Sequence, residues 1–340
     1  MPLLHRFIIA LGYLDKFGIA SINKVCGAVA EESVYIETSK DLFVFIRDLI
    51  VRGAISRVRL PSIEEIEEAE EKAVNTMERS ACLGIHTVSC YDVDFPKMLC
   101  TTVGEDGKPS VPVLLYYMGD LSITERPALA VIGTRAPDSY GVKAGHYYAE
   151  AFARIGVNIV SGLAIGCDTQ GHRGALDGGG VTTAILAHGL DSVYPHENVG
   201  LAQEIVEKGG LLLSEYPIGT RVNRYNLVAR DRLQAGLADA TLVIQTGIKG
   251  GTMHAVRATK AAQKPLFVVE YTRSTHEKVL GNEYLKGEGA IGLNAAEFSA
   301  KRIQAEPELM ISMLRGKAVK VKISDKKDES YTGGLLPLDV

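Results

Sequence analysis

Residues 128–168 read ALAVIGTRAPDSYGVKAGHYYAEAFARIGVNIVSGLAIGCD, and this stretch decides the fold. Ala128–Ile132 is a short apolar run, Val142–Arg154 has helical texture, and Val157–Ser161 is a second run rich in β-branched residues. Two strands that are apolar throughout, joined through a helix, describe a parallel pair buried on both faces. The alternation continues downstream. Val181–Ala187, Leu211–Glu215, Thr241–Gln245 and Pro265–Val269 read as strands, with Asn198–Lys208, Arg230–Ala238 and Thr252–Ala262 as helices between them. The pattern predicts an α/β fold with an extended Rossmann-like, doubly wound, mostly parallel sheet.

Upstream, Leu4, Ile8, Leu11 and Leu14, then Ile19, Ile22 and Val25, recur at helical spacing and predict a small N-terminal helical domain. The connection from Lys16 to Ala20 has two readings, the hairpin of a module that touches a DNA backbone or plain helix packing, and packing is the simpler. Ser62 and Glu65 form a capping box that starts a further helix. Its acidic run Glu64–Glu71 reads as a solvated face, with Ile63, Ile66, Val74 and Met77 on the buried side. The expected organisation is therefore helices and connector over 1–80, the Rossmann-like unit over 81–300, and a C-terminal helix with a basic tail over 301–340. That tail carries Lys317, Lys320, Lys322, Lys326 and Lys327.

The 340 residues are 46% hydrophobic and 23% charged, which excludes disorder throughout and suits one large domain with an appendage or two domains. Thirty-seven basic against 41 acidic residues give a net charge of −4. A whole-surface polycation that coats nucleic acid is excluded, but a local basic pocket is not. Cys26, Cys82, Cys90, Cys100 and Cys167 are odd in number and include no C-x-x-C pair, so neither a disulfide framework nor a thiolate metal site is expected. No cofactor is implied. The apolar run Phe7–Leu14 is too short to span a bilayer, ends at Asp15 and Lys16, and has no cleavage site, so a cytoplasmic protein without a membrane partner is expected.

A doubly wound sheet binds ligands at the carboxyl ends of its strands. Five loops there are rich in glycine or in polar side chains. The first, Gly133-Thr134-Arg135, offers close backbone approach, a hydroxyl and a guanidinium fork. The second runs from Ser161 and Gly162 through Gly166 to Asp168, then His172 and Arg173, and opens a helix whose positive end suits an anion. Its spacing is neither G-x-G-x-x-G nor a Walker loop, which disfavours dinucleotide and ordinary ATPase chemistry. The third contains His196. The fourth leads from Glu215 into Arg221, Arg224, Tyr225, Asn226, Arg230 and Arg232, where guanidinium groups could hold phosphates while tyrosine stacks on a base. The competing reading is a helix whose arginines are solvated or paired with Asp231 and Asp239. The fifth, Lys249-Gly250-Gly251-Thr252, again opens a helix. Catalytic groups are scarce. Neither Ser161 nor Ser214 sits in G-x-S-x-G, and Glu215 and Asp168 are the acid–base candidates if there is any reaction.

The ordered motifs VIGTR, SYG, SGLAIGCDTQGHRGAL, HGLDSVYPHEN, SEYP, ARDRLQAGLAD and GNEYLKGEGA, spread over about 85–292, resemble the DNA-processing protein A family, also called DprA or Smf. The resemblance implies an extended Rossmann fold, single-stranded DNA as ligand, a homodimer, and a RecA-type recombinase as partner, with a role in natural transformation or a related one in phage defence. By position, Gly133, Thr134 and Arg135 stand at the family's Gly-Ser-Arg phosphate turn; Ser161, Gly162 and Gly166 match its glycine loop; Arg230 and Arg232 flank its Arg-Asn-Arg. The departures are Asp231 in place of that asparagine, Gln245 in place of a glutamate and His196 in place of a lysine. The turn at Lys249–Thr252 also resembles that of LOG-like nucleotide enzymes. The sequence thus supports a single-stranded DNA-binding protein that makes and breaks no bond, and alternatively a nucleotide-binding or nucleotide-cleaving enzyme using Glu215 or Asp168.

Overall fold

The strand–helix–strand unit at the centre of the sequence forms as expected, and the sheet grows outward from it. The computed structural model describes residues 3–271, 277–294 and 296–316. Four helices come first: α1 (His5–Tyr13), α2 (Ile19–Glu31), α3 (Ser39–Val51) and α4 (Ile63–Cys82). Then follow β1 (His86–Ser89), β2 (Leu114–Gly119), β3 (Ala128–Ile132), α5 (Ser139–Ala153), β4 (Asn158–Ser161), α6 (Cys167–Asp177) and β5 (Thr182–Leu186). The chain continues with α7 (Val199–Glu207), β6 (Leu211–Ser214), α8 (Arg224–Leu237), β7 (Ala240–Val243), α9 (Thr252–Ala261) and β8 (Leu266–Val269). It closes with α10 (Leu280–Gly287), β9 (Ile291–Leu293), α11 (Ala300–Ala305) and α12 (Pro307–Leu314).

All nine strands form one sheet in the order β1-β2-β6-β5-β4-β3-β7-β8-β9. From β6 to β9 every pairing is parallel, whereas β2 runs antiparallel to β6 and β1 antiparallel to β2. The chain winds from β3 out to β6, then returns to the other side of β3 with β7. That reversal opens a crevice between the loops that follow β3 and β7.

Strand alternation builds two packed layers. Leu129, Val131, Ile159, Leu242 and Phe267 share a core with Tyr148 and Phe152 of α5 and with Ile303 and Met310 of α11 and α12. Ala130, Val160, Ile185 and Leu213 point the other way, onto Leu233 and Leu237 of α8. Each such side chain, fully buried, contributes about 1.5–3 kcal/mol, which is why these strands read as unbroken apolar runs.

The N-terminal helices share one apolar cluster with the β2–β6–β5 end of the sheet: Phe7, Leu11, Ile46 and Ile66 belong with Tyr116, Ala184 and Leu212. His5 ties α1 to the sheet margin, its Nε2 lying 2.7 Å from Asp92 Oδ2 and its Nδ1 2.8 Å from Thr87 Oγ1. Phe17, at the α1–α2 turn, is buried. The capping box at α4 forms, with Glu65 N donating to Ser62 Oγ and Ser62 N to Glu65 Oε2. Of the expected buried face Ile66 is fully buried and Met77 partly so, while Val74 is exposed; Ala69, Ala73, Thr76 and Ser80 complete the inward side, where small side chains let α1 and α3 approach closely.

Three strands were not anticipated. β1 and β9, of four and three residues, are too short to show a long apolar run, whereas β2 lies in one, residues 111–118, broken only by Pro112. α8 begins at Arg224, six residues before the expected start at Arg230, since the Asn223 side chain caps it by accepting from Asn226 N at 2.9 Å. The basic tail from Lys317 lies outside the described residues. Among the described residues no helix is long and apolar enough to cross a membrane, and no group of three or more His, Cys, Asp or Glu is placed to hold a metal ion.

Candidate functional site

The crevice at the strand reversal holds a cavity of 680 Å³. Gly133, Thr134 and Arg135 line it from the β3 loop, Ala164 and Asp168 from the β4 loop and α6, Arg224, Arg230, Asp231 and Gln234 from α8, and Thr246 to His254 in part from the β7 loop and α9. Three of the expected loops therefore converge with the start of α8. Among the described residues Arg135, Arg224 and Lys249, all exposed, take part in no ion pair or hydrogen bond. The amides of Gly250, Gly251 and Thr252 donate to no acceptor among those residues either, so the positive end of α9 opens onto the cavity.

The glycine loop after β4 behaves differently from expectation. Three of its amides are engaged within the protein: Gly162 N and Ala164 N donate to Asp168 Oδ2 at 3.2 and 3.3 Å, and Cys167 N donates to Thr134 O at 3.1 Å. Gly166, at φ +86°, packs on the β3 turn so tightly that a Cβ would lie 2.5 Å from Thr134 O. The loop thus supports the β3 turn, and Gly162 and Gly166 do not line the cavity. Ser161 is buried and donates to Val131 O at 2.6 Å, so it is no ligand contact.

Arg230 is the clearest correction. It is 5% exposed, and its Nη1 donates to Gly162 O, at 2.8 Å, and to Ile185 O. The space for the guanidinium exists because residue 162 lacks a side chain; a Cβ there would overlap it. Its Nε sits 3.2 Å from Asp231 Oδ1. Arg230 therefore forms part of the cavity wall as a buried cross-link between strand ends. Arg232, two residues on, lies off the cavity lining, where it pairs with Glu215 and donates through Nε to Ser110 Oγ at 2.8 Å. A helical step of two residues turns the side chain about 200° away, so Arg-x-Arg cannot present both groups to one ligand. Of the competing reading, arginines solvated or paired with Asp231 and Asp239, the pairing holds for Arg230 with Asp231; Arg232 pairs with Glu215 instead, and Arg224 is exposed at the cavity.

The other expected residues also separate. His172 is fully buried, its Nδ1 2.7 Å from Thr182 Oγ1, and burial followed by the Arg230 charge pushes its pKa down to about 3, so it is neutral. Arg173 points away on α6 toward Glu204, 3.8 Å distant. His196 is exposed and does not line the cavity. Tyr225 is 86% exposed at the start of α8, outside the lining, and Asn226 contributes its backbone to the helix cap. The acid–base candidates are parted: Glu215 is held by Arg232, while Asp168 is held by the loop amides with its pKa raised by burial.

Gln234, Thr246 and Leu227 line the cavity and were not anticipated. Leu227, Asp231 and Gln234 recur at helical spacing on the face that bears Arg230, a signal legible once the helix is known to begin at Arg224. Asp231 brings a carboxylate to this wall. Burial pushes it up to about 6, against the pull of the Arg230 guanidinium and with the Asp168 charge adding to the rise. Beside it on α9, His254 Nδ1 and Arg257 Nε meet Glu105 at 2.6 and 2.5 Å.

Comparison with known proteins bears on the fold and the family. The Smf protein of Synechocystis is 36% identical over 180 residues, which cover 52% of this chain and 44% of that protein. The chain thus spans less than half of that relative's length. The crystallographic fold of DNA processing protein A from Streptococcus pneumoniae superposes with a TM-score of 0.69 at 23% identity, covering 90% of this chain and 99% of that one. The DNA processing protein A of Helicobacter pylori, described for its single-stranded DNA binding mode, matches with a TM-score of 0.55 at 30% identity, covering 65% of this chain and 96% of that one. The family model for DNA recombination-mediator protein A matches residues 86–304, a span that contains every cavity-lining residue, and the chain belongs to this DprA/Smf family.

Proposed function

We propose that the chain binds single-stranded DNA by its phosphates at the mouth of the crevice and serves as a recombination mediator through the bound strand. The convergence of Arg135, Arg224 and Lys249 with the open amides of α9 on one cavity carries this reading. Three cations without side-chain partners among the described residues, lining one cavity with the N-terminus of α9, make a local anion site in a molecule whose net charge is −4. Tyr225, exposed one residue beyond Arg224, is available for a base to stack on. The unit over 81–300 would carry the strand, and the helices over 1–80 would be its N-terminal attachment. A second copy of the chain and a RecA-type recombinase are the expected partners.

The test is a titration of single-stranded DNA, duplex and mononucleotide at several salt concentrations. Single-stranded DNA should bind most tightly. Arg135→Ala should weaken binding to every sequence and flatten the log–log salt slope by roughly 0.7, the share of one phosphate. Unchanged affinity and slope would remove the β3 turn from the site.

A further inference from the structure

We propose that the α8 wall of the cavity reads a nucleobase, selecting one with an exocyclic amino group over thymine or uracil, with Asp231 and Gln234 as the accepting residues. This rests on the single-stranded DNA reading and adds a base preference to it. The cavity is far larger than a phosphate group; its 680 Å³ falls in the roughly 300–1,000 Å³ range of sites that enclose a whole small molecule.

A carboxylate in a phosphate site is otherwise counterproductive. Asp231 lines the same cavity as Arg135, Arg224 and Lys249, and its charge repels the anion they attract. It makes sense if the phosphate stays with those three cations and the α8 wall faces something that donates. Asp231 uses only Oδ1 within the protein, accepting from Arg230 Nε at 3.2 Å and from Gln234 Nε2 at 3.1 Å. Its Oδ2 has no hydrogen-bond partner among the described residues. Gln234 supplies an independent sign. It is 2% exposed, it lines the cavity, and its Oε1 has no partner. A buried amide oxygen left unpaired costs about 1–3 kcal/mol in general, so a donor from a ligand is the expected remedy.

The two acceptors stand three residues apart on one helix face. Cytosine offers N4–H₂ and adenine N6–H₂ to such groups, and a carboxylate accepting from cytosine N4 is an established form of base recognition. Thymine would turn carbonyl oxygens toward the same acceptors, and repulsion would follow. At neutral pH Asp231 is mostly ionised, since its pKa lies at about 6.

The experiment is a competition titration of the full chain at neutral pH with oligo-dC and oligo-dT of equal length. Wild type should favour oligo-dC by roughly tenfold. Asp231→Asn keeps the shape but turns one acceptor into a group that can donate, and should bring the ratio toward unity. Gln234→Met, which removes the second acceptor at similar volume, should narrow it without raising affinity for oligo-dT. Equal binding of the two strands by wild type, or a ratio that neither variant moves, overturns the base reading while leaving DNA binding intact. Binding of neither strand overturns both.

Discussion

Arg232 and Glu215 form a two-pronged ion pair, Nη1 donating to Oε2 at 2.7 Å and Nη2 to Oε1 at 2.6 Å, with only 12% and 11% of the side chains exposed. The pair joins α8 to the end of β6 and holds both residues away from the cavity. Removing one partner of a buried pair strands the other's charge, at a cost of about 3–5 kcal/mol. Arg232→Ala should therefore lower the unfolding free energy by that order, seen as a lower denaturant midpoint, while the salt slope of DNA binding stays as in wild type. Both readouts come from the same preparation. A flattened slope would return Arg232 to the phosphate site.

Gly251 lines the cavity and Gly166 packs behind the β3 turn that lines it, under opposite constraints. At Gly166, φ is +86° and an added Cβ would lie 2.5 Å from Thr134 O and 2.6 Å from the carbonyl carbon of Arg135. Gly166→Ala should strain the backbone by about 1–3 kcal/mol and push the β3 turn aside, losing stability and DNA affinity together. At Gly251 the backbone is ordinary, and a Cβ would meet nothing within 4 Å. Gly251→Ala should leave the melting temperature within about a degree of wild type, with any loss confined to binding, because the new methyl group occupies ligand space. A destabilised Gly251→Ala would contradict this division.

What the sequence shows well is what depends on local pattern. The strands β3 to β8 announce themselves because burial on both faces demands continuous apolar runs, and the switch-point crevice follows from their order. Loops at β3 and β7 were readable for the same reason. The misreadings concern tertiary competition for polar groups. Arg230 and Arg232 look alike in the sequence, yet one is captured by the carbonyls of Gly162 and Ile185 and the other by Glu215. His172 sits among candidate ligand residues in the sequence but faces Thr182 in the core. Two amides of the β4 loop, those of Gly162 and Ala164, are taken by Asp168, a neighbour in sequence whose turn back onto the loop no spacing rule predicts. Only the fold reveals which donors remain free.

Asp231 should make stability depend on pH in a defined window. Its carboxyl is raised from 3.8 to about 6, so the folded state holds the proton more tightly than the unfolded chain does. Between those two values the folded form is protonated and the unfolded form is not, and stability falls as pH rises across the window. Above it the penalty is complete, about 3 kcal/mol for a shift of that size. Asp231→Asn carries no such penalty. Urea unfolding of both proteins from pH 4 to pH 8 should show the variant gaining on wild type by about that amount as pH rises. A difference that is flat with pH would mean that Arg230 neutralises the carboxylate fully.

Glu105 masks positive charge at the rim. It accepts from His254 Nδ1 at 2.6 Å and from Arg257 Nε at 2.5 Å, and its pKa is lowered because these two hydrogen bonds outweigh the effect of burial. His254 lines the cavity, and Arg257 lies one turn further along α9 on the same side. Replacing Glu105 by Gln leaves one amide oxygen to accept from only one of the two donors, and removes the negative charge that compensates Arg257. Arg257 then becomes a fourth uncompensated cation beside Arg135, Arg224 and Lys249. The variant should bind single-stranded DNA several-fold more tightly at low salt, and its log–log slope should steepen by roughly 0.7 if one further phosphate is engaged. The gain should vanish at high salt, because the added attraction is electrostatic and exposed. Affinity equal to wild type across the whole salt range would place Arg257 beyond the reach of the strand, and confine the DNA path to the loops after β3 and β7.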